Sequence, residues 1–151
     1  MAQTTTGRTG CDVVIWVDNE SNTLTNISGS TNSVSLSLTN NVSGGTYTFG
    51  SQWPTRFACG KDATISASII FTTAADEAFD TLLTWYHDPS TASARSLRIQ
   101  APDGSSGSEQ WDMEVYLAEL SWDMTAGDAE PMMVSVTFTP TNEVVHNNIG
   151  S

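Results

Sequence analysis

The chain has 151 residues, 38% of them hydrophobic and 9% aromatic, enough to bury a core in one domain without disulfide staples. Seventeen Asp and Glu against five Lys and Arg give a net charge of −12, which leaves no electrostatic footprint on a phosphate backbone and excludes sequence-reading nucleic-acid binding. No stretch approaches the ~18 apolar residues of a membrane span, so no membrane partner is expected.

The opening MAQTTTGRTG has no apolar h-region, which predicts synthesis and retention in a cytoplasm and reduced thiols at Cys11 and Cys59. No Cys-x-x-Cys spacing occurs, and neither a metal nor a cofactor is expected. Both ends are poor in core residues: 1–10 and 141–151 read as arms around a single domain, 11–140.

In chain order, CDVVIWVDN (11–19) is a β-branched run closed by a polar turn, and TLTNISG (23–29) follows as its partner strand. SVSLSLT (33–39) alternates cleanly, with Val34, Leu36 and Leu38 on one face and hydroxyls on the other. From about 40 to 61 the alternation stops, and Gly, Pro and Asn mix with Tyr47, Phe49, Trp53, Arg56 and Phe57. A long loop is expected there, its aromatics packing either on its own domain as a satellite core or, the favoured reading, on a neighbouring chain. DATISASIIFT (62–72) resumes alternation, with Ile70 the one apolar residue on the polar face.

TAADEAFDTLLTWYHD (73–88) changes period: Phe79, Leu82, Leu83 and Tyr86 fall at i, i+3, i+4 and i+7. A helix over about 74–87 is expected, capped by Thr73, with those four residues packed on the sheet and Asp76 and Glu77 favoured by the helix dipole. SLRIQAP (96–102) is a short strand and DGSSGSE (103–109) a turn.

EQWDMEVYLAELSWDM (109–124) is the most informative stretch. Trp111, Met113, Val115 and Leu117 alternate with Asp112, Glu114 and Tyr116; then the phase slips, and Ala118, Leu120, Trp122 and Met124 alternate with Glu119, Ser121 and Asp123. A β-bulge near Leu117-Ala118 would return all eight apolar side chains to one face and gather the four carboxylates on the other. PMMVSVTFTP (131–140) repeats the pattern. Pooled over the four long strands, the polar faces hold mainly Ser, Thr, Asp and Glu, with Tyr116, Ile70 and Met133 as the larger exceptions, and no Lys or Arg. Ordinary exposed sheets mix both signs and guard their edges with Lys. A face without cations has nothing with which to hold a phosphate, as a conduit for nucleic acid requires.

On these residues the chain resembles the major tail tube proteins of tailed bacteriophages. The likeness rests on GRTGCDVVIWVDN, ISGSTNSVSLSL, TYTFGSQWPTRFACGKDATISASIIF, AADEAFDTLLTWY and the C-terminal strands, over roughly 11–140; the FGS…W…GKDAT segment is the most telling. It implies a mainly β fold, a sandwich or partial barrel with one packed helix, whose strands join those of neighbouring subunits in a continuous inner β-barrel. It further implies stacked hexameric rings in a virion tail, made in a host bacterial cytoplasm. Asp112, Glu114, Glu119 and Asp123 would line the lumen through which viral DNA passes without specific binding. The 40–61 loop and both arms would join rings or adjacent subunits, and tape measure, tail terminator and distal tail proteins would be partners.

Other classes fit less well. Asp112 and Glu114 could be a glycosidase pair, but any polar sheet face gives that spacing, and no convergent His, Lys or Arg accompanies them; no enzyme is expected. Asp103, Gly104 and Glu109 lack the ligand pattern of a calcium loop. His87 ends a helix and His146 lies in a polar tail. The surviving alternative is an isolated phage or adhesin-type β-sandwich binding module.

Overall fold

A computed structural model describes residues 10–88, 93–124, 127 and 130–150. One large antiparallel sheet is ordered β2-β1-β7-β8-β9-β6-β3, where β1 is Val14–Asp18, β2 Leu24–Asn26, β3 Thr31–Val42, β6 Ala58–Ile70, β7 Arg95–Ala101, β8 Glu109–Trp122 and β9 Met133–Pro140. Strands β4 (Thr46–Thr48) and β5 (Ser51–Thr55) pair separately, and β10 (Val145–Asn148) pairs with β8. The two ends of the sheet curl toward each other, so that Val34 and Leu36 of β3 line one cavity with Val13, Ile99 and Trp111.

The period-two apolar residues turn into this curl, except Leu38, which is 61% exposed. Ile15, Val17, Ile65, Ile69, Leu97, Val115, Val134, Val136 and Phe138 are at most 1% exposed, and one helix, α1 (Ala78–His87), closes over them. Phe79 and Leu82 are buried, Phe79 stands edge-on to Trp122 at 5.7 Å, and Leu83 is partly buried. Tyr86, expected in that stripe, is 60% exposed; Trp85 takes the inward position, stacked on Phe138 at 5.9 Å. The Arg95 guanidinium lies 5.1 Å above the Trp85 ring, reaches Asp88 at 3.7 Å, and donates to the Asp18 carbonyl at 3.3 Å. A charge on the indole's outer face thus holds the last turn inward.

The helix also starts later than the acidic run suggests. Asp76 takes a left-handed backbone, φ +64°, and its N–H donates to the Asp80 carboxylate at 3.0 Å, so Glu77 becomes the N-cap and Asp80 the first-turn acid. Thr73 lies outside the helix, and its neighbour Thr72 caps a turn by accepting from Ala74 N–H.

The stretch expected to be a structureless loop is instead a β-hairpin. Strands β3 and β6 stay paired beyond the core as far as Asn40–Lys61 and Val42–Ala58, and β4 and β5 form the tip. Gly45 is required at the turn into it: φ is +98°, and a Cβ there would meet Pro54 at 2.8 Å. The C-terminal stretch 141–150 is likewise paired rather than a free arm. Thr141 N–H donates to Glu114, Ile149 N–H to Ser108 and Gly107 N–H to Ile149, with β10 between them on the same edge of β8. The first nine residues lie outside the described ones.

Candidate functional site

The bulge in β8 sits where the phase slip places it. Leu117 pairs with Phe138 and Glu119 with Thr137, leaving Ala118 as the extra residue. Leu117, Leu120 and Trp122 thereby pack on the core with Met113 and Val115. Two of the eight apolar residues do not follow: Ala118 is exposed, being the bulged residue itself, and Met124 is 69% exposed beyond the strand's end.

The same register builds the opposite face. Strands β3, β6, β9 and β8 are neighbours, and Ser33, Ser68, Ser135 and Ser121 stand directly across from one another as one row. The next row is Ser35, Ser66, Thr137 and Glu119. Short hydroxyls pair across strands without projecting far, so these two rows are smooth and polar, while Tyr116, opposite Thr139, stands out of the same face at 40% exposure. Ile70 pairs with Met133 at one end of this face and is 41% exposed. Lys61 lies on β6 but shares the opposite, Ala63 side of the strand, so this face carries no cation on any of the four strands.

All four carboxylates lie off the core side, but in two environments. Glu119 and Asp123 are exposed, and among the described residues neither joins an ion pair. Asp112 and Glu114 are half-buried where β7 covers β8. Arg98 Nε donates to Asp112 at 2.6 Å, Gln110 donates to the other Asp112 oxygen at 2.6 Å, and Ser96 donates to Glu114. Gln100 extends the chain, donating to Gln110 at 2.8 Å and accepting from the Trp16 indole at 3.1 Å. The alternation of SLRIQ, with Leu97 and Ile99 inward, would have placed Arg98 on this face; the pooled four strands omit it. Both Asp112 oxygens and one of Glu114 are thus engaged by donors of the sheet itself.

Strand pairing leaves two long edges open. Strand β7 covers β8 only over Glu109–Val115, so on that side Tyr116–Trp122 has no partner strand among the described residues; nor has the outer edge of β3. These edges bound the four-strand face on its two sides. Neither carries a Lys or a Pro, two of the devices that ordinarily keep an edge from pairing.

The aromatic residues of the hairpin stand clear of the domain: Tyr47, Phe49, Trp53 and Phe57 are 69%, 116%, 82% and 67% exposed. His146 contacts the Glu109 carboxylate and lies 5.5 Å from the Trp111 ring, which fastens β10 to β8. Asp103 accepts from Ser105 N–H and the Ser105 and Ser108 hydroxyls, the work of a turn residue. Among the described residues no group of three His, Cys, Asp or Glu could hold a metal ion, and no helix is long and apolar enough to cross a membrane. Cys11 and Cys59 are both exposed and free.

No protein-family model and no curated protein sequence matches the chain. Solved structures do. A chain of the SPP1 tail tube superposes with a TM-score of 0.70 at 5% identity, over 96% of this chain and 81% of that one. A chain from the tail of an empty gene transfer agent particle of C6 symmetry gives 0.69 at 13% identity, over 93% and 99%. One from the sheath/tube terminator of an extracellular contractile injection system gives 0.70 at 13%, over 96% and 99%. Identity this low carries architecture and little else. Over nearly its whole length the chain has the tail-tube fold, a large antiparallel sheet flanked by one helix.

Proposed function

We propose that the chain is the tube subunit of a phage-like or injection-system tail, closing into hexameric rings that stack as a conduit for nucleic acid. The observation that carries this reading is the four-strand, cation-free face bounded by two open edges. The four strands alternate in direction, so a copy rotated about a common axis brings its β8 edge alongside β3 in antiparallel register. Repetition removes both long open edges, as closure of a barrel does.

The dimensions are consistent. Six such copies, the symmetry of the gene transfer agent tail, give a barrel of about 24 strands; at ~4.8 Å per strand and a tilt of ~35° its backbone diameter is about 45 Å. Side chains take half of a ~10 Å sheet spacing on each side, which leaves a bore of about 35 Å, wider than a nucleic-acid duplex. Glu119 and Asp123 stand in it as open charges among hydroxyls, while Asp112 and Glu114 line its margin, tied to Arg98 and Ser96. With α1 on the apolar side of the sheet, the helix lies outside. A charge pair across ~10 Å of water repels by only about 0.4 kcal/mol, less in salt, so the lining prevents adhesion and does not drive transport. Tape measure, terminator and distal tail proteins are the partners such a tube requires.

Negative-stain microscopy of the concentrated, purified chain tests this. Hollow filaments or stacked rings are expected. Monomers persisting at high concentration, with no rings, would favour the isolated β-sandwich module.

A further inference from the structure

Strand β9 lies between β8 and β6 only as far as Pro140. Beyond it β10 takes the place beside β8, while β6 continues outward with β3 into the hairpin. The two diverge, and between them opens a wedge-shaped groove of about 940 Å³, closed at Pro140 and floored by Leu38, Ala63, Trp111 and Val144. Both walls are unpaired strand edges: among the described residues β6 has no partner on this side over 58–64, and β10 pairs with β8 alone. The rim charges, Lys61 and Glu143, offset each other, so what the groove offers an occupant is backbone pairing and apolar cover.

The first described residue, Gly10, stands beside this groove. Val14, Gln100, Gln110 and Asn147 share one row across the sheet, which puts Val13 at the wedge's open end. Val13 lines a cavity with Leu38 and Trp111, which also floor the groove. Residues 1–9, MAQTTTGRT, hold a run of three β-branched threonines, no Pro and no acid. Nine extended residues span about 30 Å, ample for a return into the wedge.

We propose that residues 2–6 fill the wedge of their own chain as an added strand, antiparallel to β6 and alongside β10. The direction follows from the connection: the segment runs from the Pro140 end outward to reach Gly10, opposite to β6, which runs inward from the hairpin. Backbone groups on both walls gain partners, and the Leu38–Trp111 floor is covered. An open edge pairs with whatever extended segment meets it; filled from within, this wedge does not compete with β3 and β8 for a neighbouring copy. Occupancy is a property of the single chain and goes beyond the tube-subunit reading.

Amide exchange followed by NMR on the dilute, monomeric full chain tests this. Those amides of 60–63 and 145–148 that face the wedge should exchange at least about tenfold more slowly than in a variant lacking residues 2–9, both measured relative to the core amides of Val134 and Val136. Thr4→Pro with Thr6→Pro, which withdraws ladder donors from the added strand, should abolish the protection as the deletion does. Equal exchange in the full chain and the deletion variant would overturn the proposal. So would protection of a ¹⁵N-labelled deletion variant by unlabelled full chain, since the strand would then pass between copies. Either result leaves the tube subunit standing, because no ring is involved.

Discussion

Deleting Ala118 separates a bulged strand from an unbroken one. In the structure Ala118 is the unpaired, exposed residue between Leu117 and Glu119. Its removal joins them in plain alternation, so Leu120 and Trp122 stay on the core side and Glu119 and Ser121 stay on the polar face. The expected loss is about 1 kcal/mol, the ordinary size of a change that opens no cavity. Had the strand been unbulged, the deletion would turn Leu120 and Trp122 outward. Each is half-buried, so the pair would lose about 2–3 kcal/mol of burial, and the edge-on contact of Trp122 with Phe79 would go as well. Urea denaturation followed by tryptophan fluorescence reads the difference as a midpoint shift at constant slope. A loss above about 3 kcal/mol with a red-shifted native spectrum would refute the phase argument. Because the bulge adds local twist, the variant should fold yet assemble poorly.

Three further outcomes follow from the same geometry. Glu119→Lys with Asp123→Lys changes two exposed side chains, so folding should shift by less than about 0.5 kcal/mol per site; the assembled tubes should then retain duplex DNA at low salt and release it as salt rises, measured by co-sedimentation. Failure to retain DNA would contradict a bore lined by these positions. Trp53→Ala should leave the monomer's denaturation midpoint in place while reducing polymer yield, since Trp53 is 82% exposed; an equal fall in both would make the hairpin part of the core. Trp85→Ala should cost about 3–5 kcal/mol and Tyr86→Ala less than about 0.5, by calorimetry or denaturant; the reverse order would mean that the helix presents the other face.

What could be read in the sequence was whatever burial imprints on it. The strands with one face in the core alternate, so β3, β6, β8 and β9 and the β8 slip were legible residue by residue. The hairpin and β10 were not: β4 and β10 are exposed along their whole length and β5 nearly so, and a strand wet on both faces has no reason to alternate. Their pairing is a matter of backbone hydrogen bonds, which leave no side-chain period. The helix's inward face was read one residue off because Tyr86 satisfies the 3.6 spacing as well as Trp85 does; the choice is made by Arg95, nearby only in space. Arg98 opposite Asp112 and Ser96 opposite Glu114 are likewise a matter of strand neighbours, and together they divide four similar carboxylates into two bound and two open ones.

The central claim, that copies join β3 to the open edge of β8 with the hydroxyl and carboxylate face turned inward, is tested most directly by a residue-resolution cryo-electron microscopy map of the polymer. The account predicts main-chain pairing between β3 of one copy and Tyr116–Trp122 of the next, with the Ser33–Ser121 row and Glu119 facing the bore. A bore lined by α1, or rings joined without strand pairing across the seam, would contradict it.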